Sequence, residues 1–442
     1  MTNLPTGWRS DRLKDVALIN GALLTTNTDP DFDFDYLEIS NVNYYGVIDL
    51  DAIEHLRYED APSRARRRVG RNNTVISSVR PNLQAVAFMS DGRSDLVCST
   101  GFNVVQAFEQ KLLPKFAYYT LISEAGRQHF EATAKGVGYP AVDDKDFGSF
   151  PVPLPTLPEQ ERIEAYLDAS CAAIDAAVAT KRRQNEMLDA VRESLIETAV
   201  TKGLRVGTTT RLINEDWITE IPAHWEVCRI KRVVSRVDYG ISQSTEPDGR
   251  YAVLKMGHIQ RGEIKFHDLD YVNEVSEELL LESGDVLYNR TNSPDQVGKA
   301  AIFRRSKTEE VTFASYLVRL RMNYRADPYF FNYLVNCSGF LSFARKLAIP
   351  SVQQSNLNST RYCRILIPRP PIEEQCKIAA YLDEKLSELG RVVAGIESQI
   401  ETLTAYRKSL IHECVTGQRR ITETDAQRAA EERRFDNPVL TG

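Results

Sequence analysis

Two groups of side chains in this 442-residue sequence have the types and spacing to do chemistry. The first is Asp248, after Pro247, followed by Glu263-Ile264-Lys265. That is the order of a metal-dependent nuclease site, in which carboxylates would hold the cation. The corresponding hairpin earlier in the chain reads Gly46-Val47-Ile48-Asp49 and has no lysine, so the site would exist only once. The second group is basic and polar. Arg64, Arg66, Arg67, Arg68 and Arg71 fall in eight positions, with Asn73 and Arg80 after them. Guanidinium groups neutralise phosphates, and neighbouring amides can read base edges. Later in the chain Arg290, Asn292, Gln296 and Lys299 follow a similar apolar run, and Gln353 and Gln354 lie in a further loop. All of these are candidate DNA contacts. Other catalytic signatures are missing. Gly298-Lys299 lacks the upstream glycine of a phosphate-binding loop, and neither Gly-x-Ser-x-Gly nor a paired-histidine helix occurs. No Asn-Pro-Pro-aromatic run of the adenine methyltransferase kind is present either.

The elements that must position these residues occur twice. Gln160 and Gln375, Tyr166 and Tyr381, Ser194 and Ser409, and Thr201 and Thr416 are each 215 positions apart, with no gap. A period that long means duplication of a whole domain with its connector, which is unlike a short-period solenoid. Upstream, Leu4-Pro5-Thr6-Gly7-Trp8 answers Ile221-Pro222-Ala223-His224-Trp225. Alternating apolar runs such as Tyr36 to Val42 and Tyr251 to Ile259 predict strands, each leading to a glycine turn and a second strand. Further strands are expected over 73–79 and 284–288, then short helices over 116–130 and 328–344. Strand-rich blocks with inserted helices imply an α+β class. The expected order is a strand-rich domain over 1–155, a helix over 156–203, a second strand-rich domain over 204–371, a second helix over 372–417, and a polar tail over 418–442 without order.

Each repeated stretch reads as one long helix with a coiled-coil seam. Leu382, Leu389, Ile396, Leu403 and Leu410 take heptad position d, and Leu386, Val393 and Ile400 take position a. In the first copy Leu167, Ile174, Leu188 and Leu195 occupy d, and the middle turns polar at Lys181 and Asn185. Thr156-Leu157-Pro158-Glu159 supplies a capping box, and Gly203 and Gly417 supply stops. At 1.5 Å per residue such a helix is a rod of about 65 Å. Packing the two rods against each other would bury both seams; short of that, each could bind a partner's helices.

Composition sets looser bounds. Apolar residues make up 42%, enough for real cores, and no run of about 18 apolar residues predicts a membrane span. Seven scattered cysteines without a Cys-x-x-Cys pair fit a reducing, cytoplasmic compartment. The net charge of −6 is unevenly spread: residues 204–371 carry 23 basic and 19 acidic side chains, hence +4, leaving −10 elsewhere. Acidic rods suit protein partners better than DNA.

These features together resemble the specificity subunit of type I restriction-modification systems. The resemblance rests on Leu157-Pro158-Glu159-Gln160 through Tyr166-Leu167-Asp168, repeated as Ile372-Glu373-Glu374-Gln375 through Tyr381-Leu382-Asp383, with Ser-Leu-Ile closing each helix. It implies that each strand-rich domain is a target recognition domain reading one half of a split, asymmetric site in double-stranded DNA. It implies further that the helices pair as an antiparallel coiled coil and are the spacer and the docking surface for two methyltransferase subunits, with restriction/motor subunits joining them. The chain itself would be non-catalytic and hold no cofactor. S-adenosylmethionine would belong to the methyltransferase partner, and ATP and magnesium to the restriction partner. A standalone nuclease built on Asp248, Glu263 and Lys265, or a scaffold that binds only proteins, are the alternatives.

Overall fold

The computed structural model describes residues 4–43, 46–80, 85–90, 95–136, 138–304, 310–351 and 354–436. The chain forms two compact units, one of residues 1–182 with 397–442, the other of residues 183–396. This division differs from the expected globule, helix, globule, helix. The long helices, Leu157–Lys202 and Ile372–Val415, each give one part to either unit. The cause is the apolar seam, which each helix buries against the other.

In the first unit the central sheet orders Ala17–Ile19, Phe102–Ala107, Thr74–Ser77 and Val86–Phe88. Thr74–Ser77 is an interior strand with all four residues buried. A second sheet orders Glu54–Arg57, Asp33–Leu37, Leu96–Ser99 and Ala65–Arg68, which leaves Ala65–Arg68 on an edge. A ribbon of Arg9–Arg12 with Pro151–Leu154 leads into the first long helix. Ile163, Leu167, Cys171, Ile174 and Val178 of that helix share one core with Leu410, Ile411, Cys414 and Val415. Early residues of one helix thus meet late residues of the other, so the pairing is antiparallel.

The second unit repeats the plan. Its largest sheet has six strands, with Val286–Asn289 between Leu317–Met322 and Ala300–Ile302. A ribbon of Glu226–Arg229 with Leu366–Arg369 precedes the second long helix. Ala199 and Val200 here pack with Ile378, Ala379 and Leu382, again antiparallel. Of the expected seam residues, Leu167, Ile174, Leu382, Ile396 and Leu410 are buried. Leu188, Leu195, Leu386, Leu389, Val393, Ile400 and Leu403 are half-buried. Seam position a also holds Arg407, paired with Asp175 at 3.0 Å. Among the described residues no helix is long and apolar enough to cross a membrane.

One side chain fastens each helix start to its own unit in the same way. The fully buried Gln160 accepts from Leu113 N at 2.8 Å and donates to the carbonyls of Lys111 and Pro155 at 3.0 and 3.1 Å. Gln375 accepts from Asp327 N at 2.9 Å and donates to those of Arg325 and Pro370 at 3.1 and 2.8 Å. An amide side chain can do both at once, and each bond counts because no water reaches it. Two turns on, Asp168 accepts from Tyr119 at 2.7 Å and Asp383 from Tyr333 at 2.6 Å. Burial pushes both phenols well above their ordinary pKa. The helix ends match too: Gly203 and Gly417 both have φ +77, a left-handed conformation open to glycine at little cost.

Two local expectations are corrected. Glu159 does not reach back to close the capping box: it accepts from Trp8 Nε1 at 3.2 Å and pairs with Arg420 at 3.0 Å. The polar tail holds a helix, Glu423–Asp436. Thr422 and Asp425 bond each other's amides at 3.0 and 3.2 Å at its start, and Ile421 lies buried in the core of the first unit. A reciprocal cap and one apolar anchor overcome the low hydropathy of that segment. Residues 437–442 lie outside the described set.

Candidate nucleic-acid interface

The arginine-rich segment is a strand, and its contacts sort the arginines. Along Ala65–Arg68 a register shift between Ala65 and Arg67 interrupts the pairing with Leu96–Ser99. The guanidinium of Arg66 lies 5.0 Å from the Tyr58 ring, and that of Arg68 lies 4.8 Å from Phe32. Cation–π contact holds both extended without neutralising them. Arg67 points the other way, with its side chain 13% exposed. It donates to the Phe102 carbonyl and, at 3.0 Å, to Asn103 Oδ1. Burial lowers its pKa from the ordinary arginine value. Arg67 therefore holds the interior together and leaves the candidate surface. Arg64 and Arg71 are exposed. Asn73 is also withdrawn: it is 7% exposed and its Oδ1 accepts from Gly70 N at 2.7 Å, capping the turn before the central strand.

Arg80 sits past the end of that central strand. It is exposed, its guanidinium lies 4.2 Å from the ring of Tyr139, and its φ is +50. Tyr139 is 72% exposed and belongs to a loop in which Gly136 and Gly138 have φ +106 and +85.

In the second unit the corresponding residues are more entangled. Arg290 is half-buried, with its guanidinium 5.0 Å from the Tyr239 ring and Nη1 donating to the Ser315 carbonyl at 3.3 Å. Lys299 donates to Gln296 Oε1 at 2.7 Å, and Gln296 donates in turn to Asp295. Burial lowers the Lys299 pKa, as does nearby Arg345. Asn292 belongs to a short strand, Thr291–Asn292, paired with Gln354–Asn356, which pairs with Ile349–Ser351. Gln354 is exposed on this three-stranded ribbon. Gln353 lies outside the described residues. The sequence reading named these basic and amide residues but missed their aromatic supports. Tyr58, Phe32 and Tyr239 lie 8 to 51 positions from their arginines, so only pairing of distant strands brings them together.

The nuclease candidates do not converge. Lys265 is bonded to Glu263 at 2.6 Å, while Asp248 is exposed. Among the described residues no three histidine, cysteine or acidic side chains are grouped to hold a metal.

Comparison with known proteins places this architecture. The type I restriction modification DNA specificity domain matches twice, over residues 5–185 and 222–402. The MjaVIII specificity subunit of Methanocaldococcus jannaschii is 26% identical over 340 residues, 75% of this chain and 76% of the relative. The putative MjaX specificity subunit of the same organism is 30% identical over 205 residues, a match spanning 47% of that relative's length. The StySPI specificity subunit of Salmonella potsdam is 20% identical over 94% of this chain and 90% of its own. Among solved structures, a chain from work on complex assembly and conformational transition of the type I R-M system has a TM-score of 0.74 at 21% identity, covering 94% of this chain and 99% of the other. The HsdS subunit of Thermoanaerobacter tengcongensis gives 0.53 at 21%, with 94% and 98% covered.

Proposed function

The chain belongs to the type I restriction-modification DNA specificity family, and from that premise we propose that it reads a bipartite, asymmetric site in double-stranded DNA. Like its relatives it is the non-catalytic specificity component. The carrying observation is the duplication. Each unit has its own interior strand, its own arginine stacked on an aromatic ring past that strand, and the same helix clamp. Two similar modules with unlike surface residues suit two unlike half-sites. Phosphate contacts from Arg64, Arg66, Arg68 and Arg71 position the first half-site, and a few polar side chains specify bases. The paired helices recruit two methyltransferase subunits, which supply S-adenosylmethionine and modify one adenine on each strand. Restriction/motor subunits, which use ATP and magnesium, complete the cytoplasmic assembly.

The test is methylation mapping of host DNA with and without this chain, co-expressed with its methyltransferase. Loss of adenine methylation at one split, asymmetric motif on deletion is the expected result. Unchanged methylation with an active methyltransferase overturns the reading.

A further inference from the structure

One hydrogen bond occurs in both units and aligns their candidate surfaces residue by residue. Val142 N donates to the Ser78 carbonyl and Leu357 N to the Arg290 carbonyl, each at 2.8 Å. The next residues repeat the match: Val79 bridges Ala141, and Thr291 pairs with Asn356. The turn before each strand agrees as well, Gly70 N donating to Asn73 Oδ1 and Glu282 N to Asp285 Oδ2. With this alignment Arg80 and Asn292 stand at one structural position, just past the end of the interior strand.

The two side chains differ in the chemistry they offer there. Arg80 is exposed, takes part in no ion pair among the described residues, and is held over Tyr139. Its left-handed backbone is disfavoured for arginine, and such strain collects at positions where function fixes the side chain. Its guanidinium makes one long bond, 3.5 Å, to the Gly138 carbonyl, which leaves further donors open. Asn292 is half-exposed, and its Oδ1 accepts from Ser293 N at 2.8 Å, which fixes the plane of the amide. An arginine matches the two acceptors O6 and N7 of guanine. An asparagine matches N7 and the amino group of adenine.

We propose that this shared position reads one base in each half-site, Arg80 taking a guanine and Asn292 an adenine. The inference rests on the DNA-reading function proposed above. It is tested in the full complex with the methyltransferase, by mapping the modified motif for the native chain and for Arg80→Ala, Arg80→Lys and Asn292→Arg. With Arg80→Ala, discrimination at one guanine falls about 10- to 100-fold, and the other half-site stays unchanged. With Asn292→Arg, one adenine of that other half-site gives way to guanine. A native motif with no modification at all overturns the function as well as this inference. A native motif that survives Arg80→Ala intact, or loosens equally in both halves, overturns the inference alone. If Arg80→Ala modifies nothing, Asn292→Arg decides, and an unaltered adenine there is the refuting outcome. Arg80→Lys, which can still donate to O6 and N7, is expected to keep the guanine.

Discussion

The two units solve one local problem with different residues. In each, a short helix begins with proline and leaves the Phe116 or Phe330 amide in need of an acceptor. In the second unit that helix caps itself: Asp327 accepts from Phe330 N at 2.8 Å. In the first the equivalent residue is Leu113, which has no acceptor, and the long helix supplies one: Glu164 accepts from Phe116 N at 2.6 Å. The matching residue of the other helix is Ala379, buried. The bond is thus present in both units, with its acceptor on a different element in each. The same contrast separates the clamp residues Gln160 and Gln375, alike to the bond, from Arg80 and Asn292, alike only in place. What attaches helix to sheet is repeated, and what faces outward is not.

Breaking the clamp should have the largest effect. Gln375→Leu strands a buried amide and two carbonyls, for a loss of about 3–5 kcal/mol. Gln160→Leu should cost the same, and a wide difference in thermal unfolding between the two would show that the units are not equivalent where they look it. Gly417→Ala comes next, at about 2 kcal/mol, because the left-handed backbone is disfavoured and a Cβ would overlap the Pro5 ring. Gly203→Ala should cost less, since its Cβ would meet Trp225 at 3.2 Å. Equal melting temperatures for the two variants would argue against that ranking. The cap exchange is smaller, about 1 kcal/mol. At pH 5 Glu164→Ala should destabilise and Leu113→Asp restore it, whereas additive effects in the double variant would mean the two residues do not serve one amide. A further effect is on pH. Burial pushes the Glu164 carboxyl up to about 7, so the folded chain holds that proton after the unfolded chain has released it. The stabilisation is complete below the ordinary value of 4.5 and is lost as pH rises towards about 7. Glu164→Gln should flatten the melting temperature across that window, and an unaltered slope would assign the dependence elsewhere.

Much of this was legible in the sequence because repetition and period are local signals. The heptads located helices observed as Leu157–Lys202 and Ile372–Val415, close to the expected bounds. The surface was less legible. Arg67 looks like its neighbours in the sequence, and only its bonds to the Phe102 carbonyl and Asn103, brought near by pairing of distant strands, show it turned inward. Asn73 looked like a base-reading amide, and only the Gly70 contact shows it to be a turn cap. The partition into units was hidden for a different reason. An antiparallel seam joins residues far apart in the chain, and heptad spacing does not say which stretch faces which.

That partition has a consequence for synthesis. The core of the first unit needs Leu410, Ile411, Cys414 and Val415, which leave the ribosome after the whole of residues 183–396. The module translated first is therefore the last to be completed. Until then the side of its first long helix that those residues cover lacks that partner and is open to aggregation or chaperone capture. A premature stop near residue 400 would leave the later module with all its own segments and damage the one made earliest.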